Sequence, residues 1–272
     1  MHVEELAATL LPVVLMGVVE GLTEFLPISS TGHLILLGEV IGFKGPPGKV
    51  FEISIQLGAI LAVAWLSRDV LWRIATRGWV PGTPANLYAR NVLLAVLPAL
   101  VLGATLHEPI TVRLFSAQVV AVALILGGVV IIAIERSRPA PRITSVLEIG
   151  ASTALLIGLG QALAMVPGTS RSAATIIVAL LAGVDRRTAV EFSFMLAIPT
   201  MLAAAVYSVW HGRASLDEAG LGQLMIGFGV SFAVSLAVVR WILATISRIG
   251  FAPFGWYRIA LGLLILVWST QR

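Results

Sequence analysis

The chain has 272 residues, of which 58% are hydrophobic and 12% are charged. Soluble domains carry about 25% charged residues, so this composition excludes an ordinary soluble protein and indicates an integral membrane protein. The formal net charge of +4 comes from basic residues that stand mostly in short connecting segments. That is typical of membrane loops, and we therefore expect no nucleic-acid partner. The lack of cysteine excludes a thiolate nucleophile, a zinc–thiolate site and disulfides.

The first apolar stretch, residues 6–43, is too long for one membrane crossing and too short for two. It follows Glu4 and Glu5 without a basic residue, so it does not resemble a cleaved signal peptide and we expect it to stay in the mature protein. Pro27 and the following Ile-Ser-Ser-Thr-Gly interrupt it. This pattern predicts two half-helices that meet at a polar tip, forming a re-entrant pair.

The rest of the chain repeats the same plan. A second interrupted stretch covers residues 146–183 and breaks at Pro167, which is followed by Gly-Thr-Ser-Arg-Ser. Apolar runs of near-spanning length predict about six spanning helices, over residues 50–66, 91–106, 115–134, 189–210, 221–246 and 255–270. The prediction is an all-α polytopic membrane bundle that forms one domain over residues 1–272.

The two interrupted stretches are related by an internal repeat. A shift of 140 residues aligns Pro27 with Pro167, Ser30 with Ser170 and Thr31 with Arg171. Repeat one then covers about residues 1–135 and repeat two about 143–272. Each holds one re-entrant pair and three spans, and an odd number of crossings inverts the second repeat relative to the first.

The loop charges predict the orientation of this inverted repeat. The scheme places on one side twelve arginines, namely Arg68, Arg73, Arg77, Arg90, Arg136, Arg138, Arg142, Arg186, Arg187, Arg240, Arg248 and Arg258. Only five basic residues fall opposite, namely Lys44, Lys49, Arg113, Arg213 and Arg272. The positive-inside rule puts the first group in the cytoplasm, so the first tip is expected to open to the outer face.

Carboxylates inside apolar segments are costly and indicate function. Glu20 and Glu24 share one helical face with Gly17 and Gly21, whose lack of side chains permits close helix approach. Two carboxylates one turn apart repel each other unless they share a proton or bind a cation. We therefore predict a divalent-cation site at Glu20 and Glu24, against the alternative of two unrelated interfacial carboxylates.

Both tips place hydroxyl groups at the start of a half-helix, where free backbone amides bind phosphate. The candidates in the first tip are Ser29, Ser30 and Thr31, although an ordinary helix cap would look the same. His33 follows Ser30 by three positions and is predicted to act on its hydroxyl as an acid or base. The second tip offers Thr169, Ser170, Arg171 and Ser172, and the planar fork of Arg171 suits phosphate oxygens.

At these positions the chain resembles a known family. The strings EGLTEFLPISSTGH, FEISIQLG, PGTSRSAAT and EFSFMLAIP are similar to those of the bacterial undecaprenyl pyrophosphate phosphatases of the bacitracin-resistance type. The resemblance covers essentially the whole chain. It implies hydrolysis of undecaprenyl pyrophosphate, a polyprenyl lipid, to the monophosphate that carries peptidoglycan precursors. It also implies an inner-membrane location, a magnesium or calcium ion, and functional roles for Glu20, Glu24, Ser30, His33 and Arg171.

Three questions stay open at this stage. A lipid phosphate or anion transporter would use the same inverted repeat and the same basic tip, although it would not need a hydroxyl beside a histidine. The nucleophile could be Ser30, His33 or a metal-activated water. The oligomeric state is also open, with a homodimer as the assembly to test.

Overall fold

The computed structural model describes residues 3–43, 50–114, 116–211 and 218–270. Within these ranges the chain forms helices and no strand, with one isolated bridge between Ile143 and Val184. The helices are α1 (Val3–Thr23), α2 (Ser30–Ile41), α3 (Val50–Leu66), α4 (Arg68–Arg77), α5 (Pro84–Leu114), α6 (Ala117–Ser137), α7 (Ala151–Ala162), α8 (Arg171–Leu181), α9 (Arg186–His211), α10 (Glu218–Ile249) and α11 (Ala252–Ser269). The predicted all-α class is confirmed.

The predicted number of membrane spans is also confirmed. Five helices are long and apolar enough to cross a bilayer: Pro84–Thr105, Ala117–Ser137, Arg186–Tyr207, Gly220–Ile249 and Ala252–Ser269. Helix α3 joins them as a sixth span if it is taken together with α4, from which it is bent by 75°. These helices coincide with the apolar runs of the sequence because an apolar run of that length satisfies its backbone only as a helix in lipid.

Helix α4 lies between the predicted spans 50–66 and 91–106, in a segment for which the sequence predicted no helix. It carries Arg68, Arg73 and Arg77, and no residue of this helix is buried. Trp72 within it is 71% exposed. Arginine and tryptophan together are typical of a helix that lies at the membrane–water interface.

The two interrupted stretches form two pairs of short helices, α1 with α2 and α7 with α8. In each pair the second helix begins directly after a serine in the left-handed region, and Ser29 and Ser170 both have φ 71°. Only these two residues other than glycine have positive φ in the described chain. Such a conformation costs on the order of 1–3 kcal/mol and is held by surrounding structure, mostly at functional sites.

These two serines correct the register of the internal repeat. The difference between residues 170 and 29 is 141, one more than the shift of 140 that aligns the prolines. Ser30 therefore corresponds to Arg171, and each is the first residue of its half-helix. The sequence pairing of Ser30 with Ser170 was wrong because the second tip holds one more residue between its proline and its helix.

Glycines set the packing of the short helices against the long ones. A side chain at Gly17 would lie 2.8 Å from the carbonyl oxygen of Gly227, and one at Gly21 would lie 2.8 Å from Val234. Helix α1 thus packs closely on α10, as the sequence predicted for that glycine face. Helix α7 packs in the same way on α5, where a side chain at Gly158 would overlap the backbone of Ala95.

Candidate functional site

The starts of α2 and α8 enclose a cavity of about 150 Å³. A single water needs roughly 10–15 Å³ of such space, so the cavity has room for a group much larger than one water. It is lined by Glu24, Ser29, Ser30, Thr31, Gln56, Ala164, Pro167, Gly168, Ser170, Arg171 and Met201. Both re-entrant tips therefore contribute to one polar site.

Glu24 is the centre of this site. Its Oε2 accepts a hydrogen bond from the Ser30 hydroxyl at 2.5 Å, and its Oε1 accepts one from Arg171 Nη2 at 3.4 Å. The first residue of each half-helix thus meets the same carboxylate. Glu24 and Ser30 are buried, and an ion pair in such surroundings is screened by solvent far less than one at a surface.

Local structure holds Glu24 in place. Its backbone N–H donates to the carbonyl of Glu20 at 2.9 Å, so the helical path of α1 continues one residue past Thr23. The next residue, Phe25, is fully buried and its ring packs edge-on against Phe194 at 5.1 Å between centroids. This aromatic anchor fixes the direction in which the chain leaves α1.

Glu20 lies one turn before Glu24 and is 1% exposed. It does not line the cavity, although the charges of Glu24, Arg171 and Glu52 act on it. Within the described ranges no group of three or more His, Cys, Asp or Glu side chains could hold a metal ion. The residues at hand fit a cation that is held by two carboxylates and completed by ligands from the substrate, which is a common arrangement for magnesium.

Arg171 is held at the start of α8 by two different groups. Its Nη1 donates to the carbonyl of Ser193 at 3.1 Å, and its Nη2 donates to Glu24. Its Nε is buried and has no hydrogen-bond partner in the described protein. A buried donor without a partner is costly, so the protein satisfies the guanidinium of Arg171 only in part.

The remaining hydroxyl residues divide into two groups. Ser29, Thr31 and Ser170 line the cavity. Ser172 and Thr169 do not: the Ser172 hydroxyl donates to the carbonyl of Leu26 at 2.9 Å and so joins the second tip to the first. The structure thus brings three of these five predicted residues to the cavity and gives Ser172 a contact between the tips.

His33 does not face the Ser30 hydroxyl. Its Nδ1–H donates to the carbonyl of Ser29 at 2.7 Å, because a carbonyl oxygen can only accept. Its Nε2 then accepts from the Tyr257 hydroxyl at 2.7 Å, and the two rings are parallel with 5.5 Å between centroids. The expected Ser30–His33 pair is replaced by the Ser30–Glu24 pair, and the catalytic role of His33 stays a prediction.

Two residues near the site were not predicted from the sequence. Gln56 lines the cavity from α3, where it follows Glu52 and Ser54 at a spacing of two and could have been noticed as the third polar residue of a predicted span. Arg258 was assigned to the cytoplasmic loops, but it is 0% exposed and lies between the two tips. That assignment was wrong, because an arginine near the end of an apolar run looks the same whether it faces water or the interior.

Comparison with known proteins agrees with this geometry. The family described as "Bacitracin resistance protein BacA" matches residues 13–264. The protein "Undecaprenyl-diphosphatase 2" of Paramagnetospirillum magneticum is 51% identical over 97% of this chain and 100% of its own length.

Two further relatives carry the name "Undecaprenyl-diphosphatase". The one from Rhizorhabdus wittichii is 50% identical over 97% of this chain and 99% of its own length. The one from Sphingopyxis alaskensis is 48% identical over 96% of this chain and 98% of its own length. Since both the family match and these relatives span nearly the whole chain, the protein belongs to the bacitracin resistance protein BacA family.

Proposed function

We propose that this membrane protein hydrolyses undecaprenyl pyrophosphate to undecaprenyl phosphate and inorganic phosphate. The observation that carries the proposal is the contact of Ser30 and Arg171 with one buried carboxylate, Glu24, beside a polar cavity. In this proposal Ser30 is the nucleophile, Glu24 is the proton acceptor and Arg171 is the cation that binds phosphate, all inside a bundle of membrane helices. The names of the relatives give the same reaction.

The cavity suits the pyrophosphate end of a lipid. The first amides of α2 favour an anion, since the Ser29 side chain does not cap them. In α8 the Ala173 amide already donates to the Ser170 hydroxyl, and the amides before it favour an anion in the same way. Arg171, which lines the cavity, adds a fixed positive charge. A polyprenyl chain needs an apolar surrounding, which the bilayer and the spanning helices supply. The substrate is therefore a membrane lipid whose headgroup enters between the tips.

The proposed first step is attack of Ser30 Oγ on the terminal phosphorus. The new Oγ–P bond forms as the bond from that phosphorus to the bridging oxygen breaks, and undecaprenyl phosphate leaves. Glu24 is the proton acceptor in this step, because it already accepts the hydrogen bond of the Ser30 hydroxyl. Water then attacks the phosphoserine and the bond between Ser30 Oγ and phosphorus breaks. Glu24 returns its proton to Oγ, which restores the serine, and the inorganic phosphate leaves with both hydrogens of the water.

A water nucleophile is the alternative at the same carboxylate. In that route Glu24 accepts a proton from water, and Ser30 serves as a phosphate ligand. The 2.5 Å contact between the Ser30 and Glu24 oxygens favours the serine route, since an adjacent base is what a hydroxyl nucleophile requires.

We also propose a divalent cation, magnesium or calcium, for this enzyme. Glu20 and Glu24 would hold it together with phosphate oxygens of the substrate, and when bound it would offset the negative charge of the pyrophosphate. Support comes from the burial of two carboxylates one turn apart, which is costly without a positive partner beyond Arg171.

An inner-membrane location with the site open to the periplasmic face completes the proposal. Removing the buried Arg258 from the loop count leaves eleven arginines on the cytoplasmic side against five basic residues opposite. The excess of basic residues on the cytoplasmic side, which supports this orientation, is therefore kept.

A homodimer stays the assembly to test. Transport is not favoured, because the relatives reported above are all named as phosphatases.

The direct test is phosphate release by the purified protein in detergent. With undecaprenyl pyrophosphate as substrate, we expect inorganic phosphate and undecaprenyl phosphate in equal amounts. A protein that binds the lipid but leaves the pyrophosphate intact would contradict the proposal and favour transport.

A further inference from the structure

Arg258 makes an unusual set of contacts for a buried arginine. It lies on α11, is 0% exposed and uses all its hydrogen-bond donors on backbone carbonyl groups. Its Nε donates to the carbonyl of Leu124 at 3.3 Å. Its Nη1 donates to the carbonyls of Pro27 at 3.2 Å and Thr169 at 3.0 Å. Its Nη2 donates to the carbonyls of Ala123 at 3.1 Å and Gly168 at 2.9 Å. Five donors thus meet five acceptors.

These carbonyl groups come from three separate elements. Pro27 belongs to the first tip, Gly168 and Thr169 belong to the second tip, and the other two lie on α6. Pro27 stands two residues before the strained Ser29, and Thr169 stands two residues before Arg171. The guanidinium of Arg258 therefore joins the chain segments that lead directly into both half-helices.

The surrounding structure is shaped for this guanidinium. A side chain on Gly127 of α6 would overlap the Nη2 of Arg258. A side chain on Gly168 would lie 2.6 Å from the carbonyl of Val120, and this glycine has φ +91°. In the described chain no carboxylate pairs with Arg258, so the carbonyl dipoles are what compensate the buried charge.

We propose that Arg258 is a positioning residue that holds the two tips together and thereby sets the geometry of Ser30, Glu24 and Arg171. The inference rests on the proposed phosphatase function. Ser30 and Arg171 come from different repeats and meet only at Glu24, so a relative shift of the tips moves the nucleophile away from the phosphate-binding cation. A misplacement of about 1 Å can lower a rate about a hundredfold.

The first test compares Arg258→Lys with Arg248→Lys, an exposed arginine at the end of α10. Lysine keeps the charge but offers three donors from one point, so it cannot join all three elements. For Arg258→Lys we expect kcat to fall more than about tenfold while KM changes by less than about threefold, because transition-state alignment is lost and headgroup binding is kept. A kcat within about twofold of wild type would overturn the proposal.

A second variant keeps the arginine, in case Arg258→Lys does not fold. Gly127→Ala forces the guanidinium away from its niche, whereas Gly229→Ala adds the same methyl group in a helix with nothing within 4 Å. We expect a lower kcat in Gly127→Ala and an unchanged kcat in Gly229→Ala. Equal kcat values in these two variants would contradict the role of Arg258.

A third measurement separates this proposal from the proposed function. The chain has no cysteine, and Ser172 is buried where the tips meet. Ser172→Cys should react with a thiol reagent faster when Arg258→Lys is also present, because the tips part more often. An equal reaction rate in the presence and absence of Arg258→Lys would refute the positioning role. This readout does not depend on activity, whereas a wild-type protein that released no phosphate would refute the proposed function.

Discussion

Replacing Glu24 by glutamine keeps the size of the side chain and removes the charge that joins Ser30 to Arg171. The native carboxylate accepts from Ser30 at 2.5 Å and from Arg171 at 3.4 Å. A glutamine amide has one oxygen that accepts and one nitrogen that donates, whereas arginine only donates. The amide oxygen must therefore face Arg171, and the amide nitrogen then faces Ser30, which loses its proton acceptor.

The expected loss follows from that geometry. A positioned general base contributes about 10²- to 10⁴-fold to a rate, which corresponds to roughly 3–5 kcal/mol of transition-state stabilisation. We expect the loss in kcat, since Arg171 keeps an acceptor in the new amide oxygen and so keeps its place at the cavity. KM should change much less.

The assay is phosphate release from undecaprenyl pyrophosphate in detergent, over a range of substrate concentrations. Glu191→Gln is the matched control, because Glu191 is 35% exposed and its partner Arg187 is 62% exposed. Such a surface pair is worth about 0–1 kcal/mol, so this variant should behave as wild type. A Glu24→Gln enzyme with kcat within about threefold of wild type would refute Glu24 as the proton acceptor.

Four further predictions test the other parts of the site. Ser30→Ala should abolish turnover in the serine route, and more than about a hundredth of wild-type kcat would favour a water nucleophile. Arg171→Lys should lose most activity while the protein stays folded, since lysine lacks the planar fork; near-normal kcat would exclude a two-point clamp. Excess chelator should stop turnover, and Glu20→Gln should weaken the response to added magnesium; full activity in chelator would remove the cation from the mechanism. In intact cells an impermeant thiol reagent should label Arg113→Cys and spare Arg77→Cys, and the reverse pattern would invert the orientation.

Local sequence patterns were sufficient to predict the membrane class, the spans and the two tips. Apolar runs set the spans because lipid leaves the backbone no other way to pair its polar groups. Pro27 and Pro167 mark the breaks because each is followed by a polar Ser/Thr/Gly segment that favours the start of a new helix. Proline alone does not break a helix here, since Pro12 and Pro199 lie inside α1 and α9. Glu20 and Glu24 could be placed on the glycine face of α1, because helical spacing alone decides which residues share a face.

Tertiary structure decided which side chains meet at the tips. Spacing within α2 suggested His33 as the partner of Ser30, but the partner of His33 is Tyr257, 224 residues away in the chain. The direction of Ser30 depends on the left-handed backbone of Ser29, which no residue type at that position signals. Arg258 binds the carbonyl of Pro27 across 231 residues. Contacts of such separation depend on how whole helices pack, so periodicity along the chain carries no information about them.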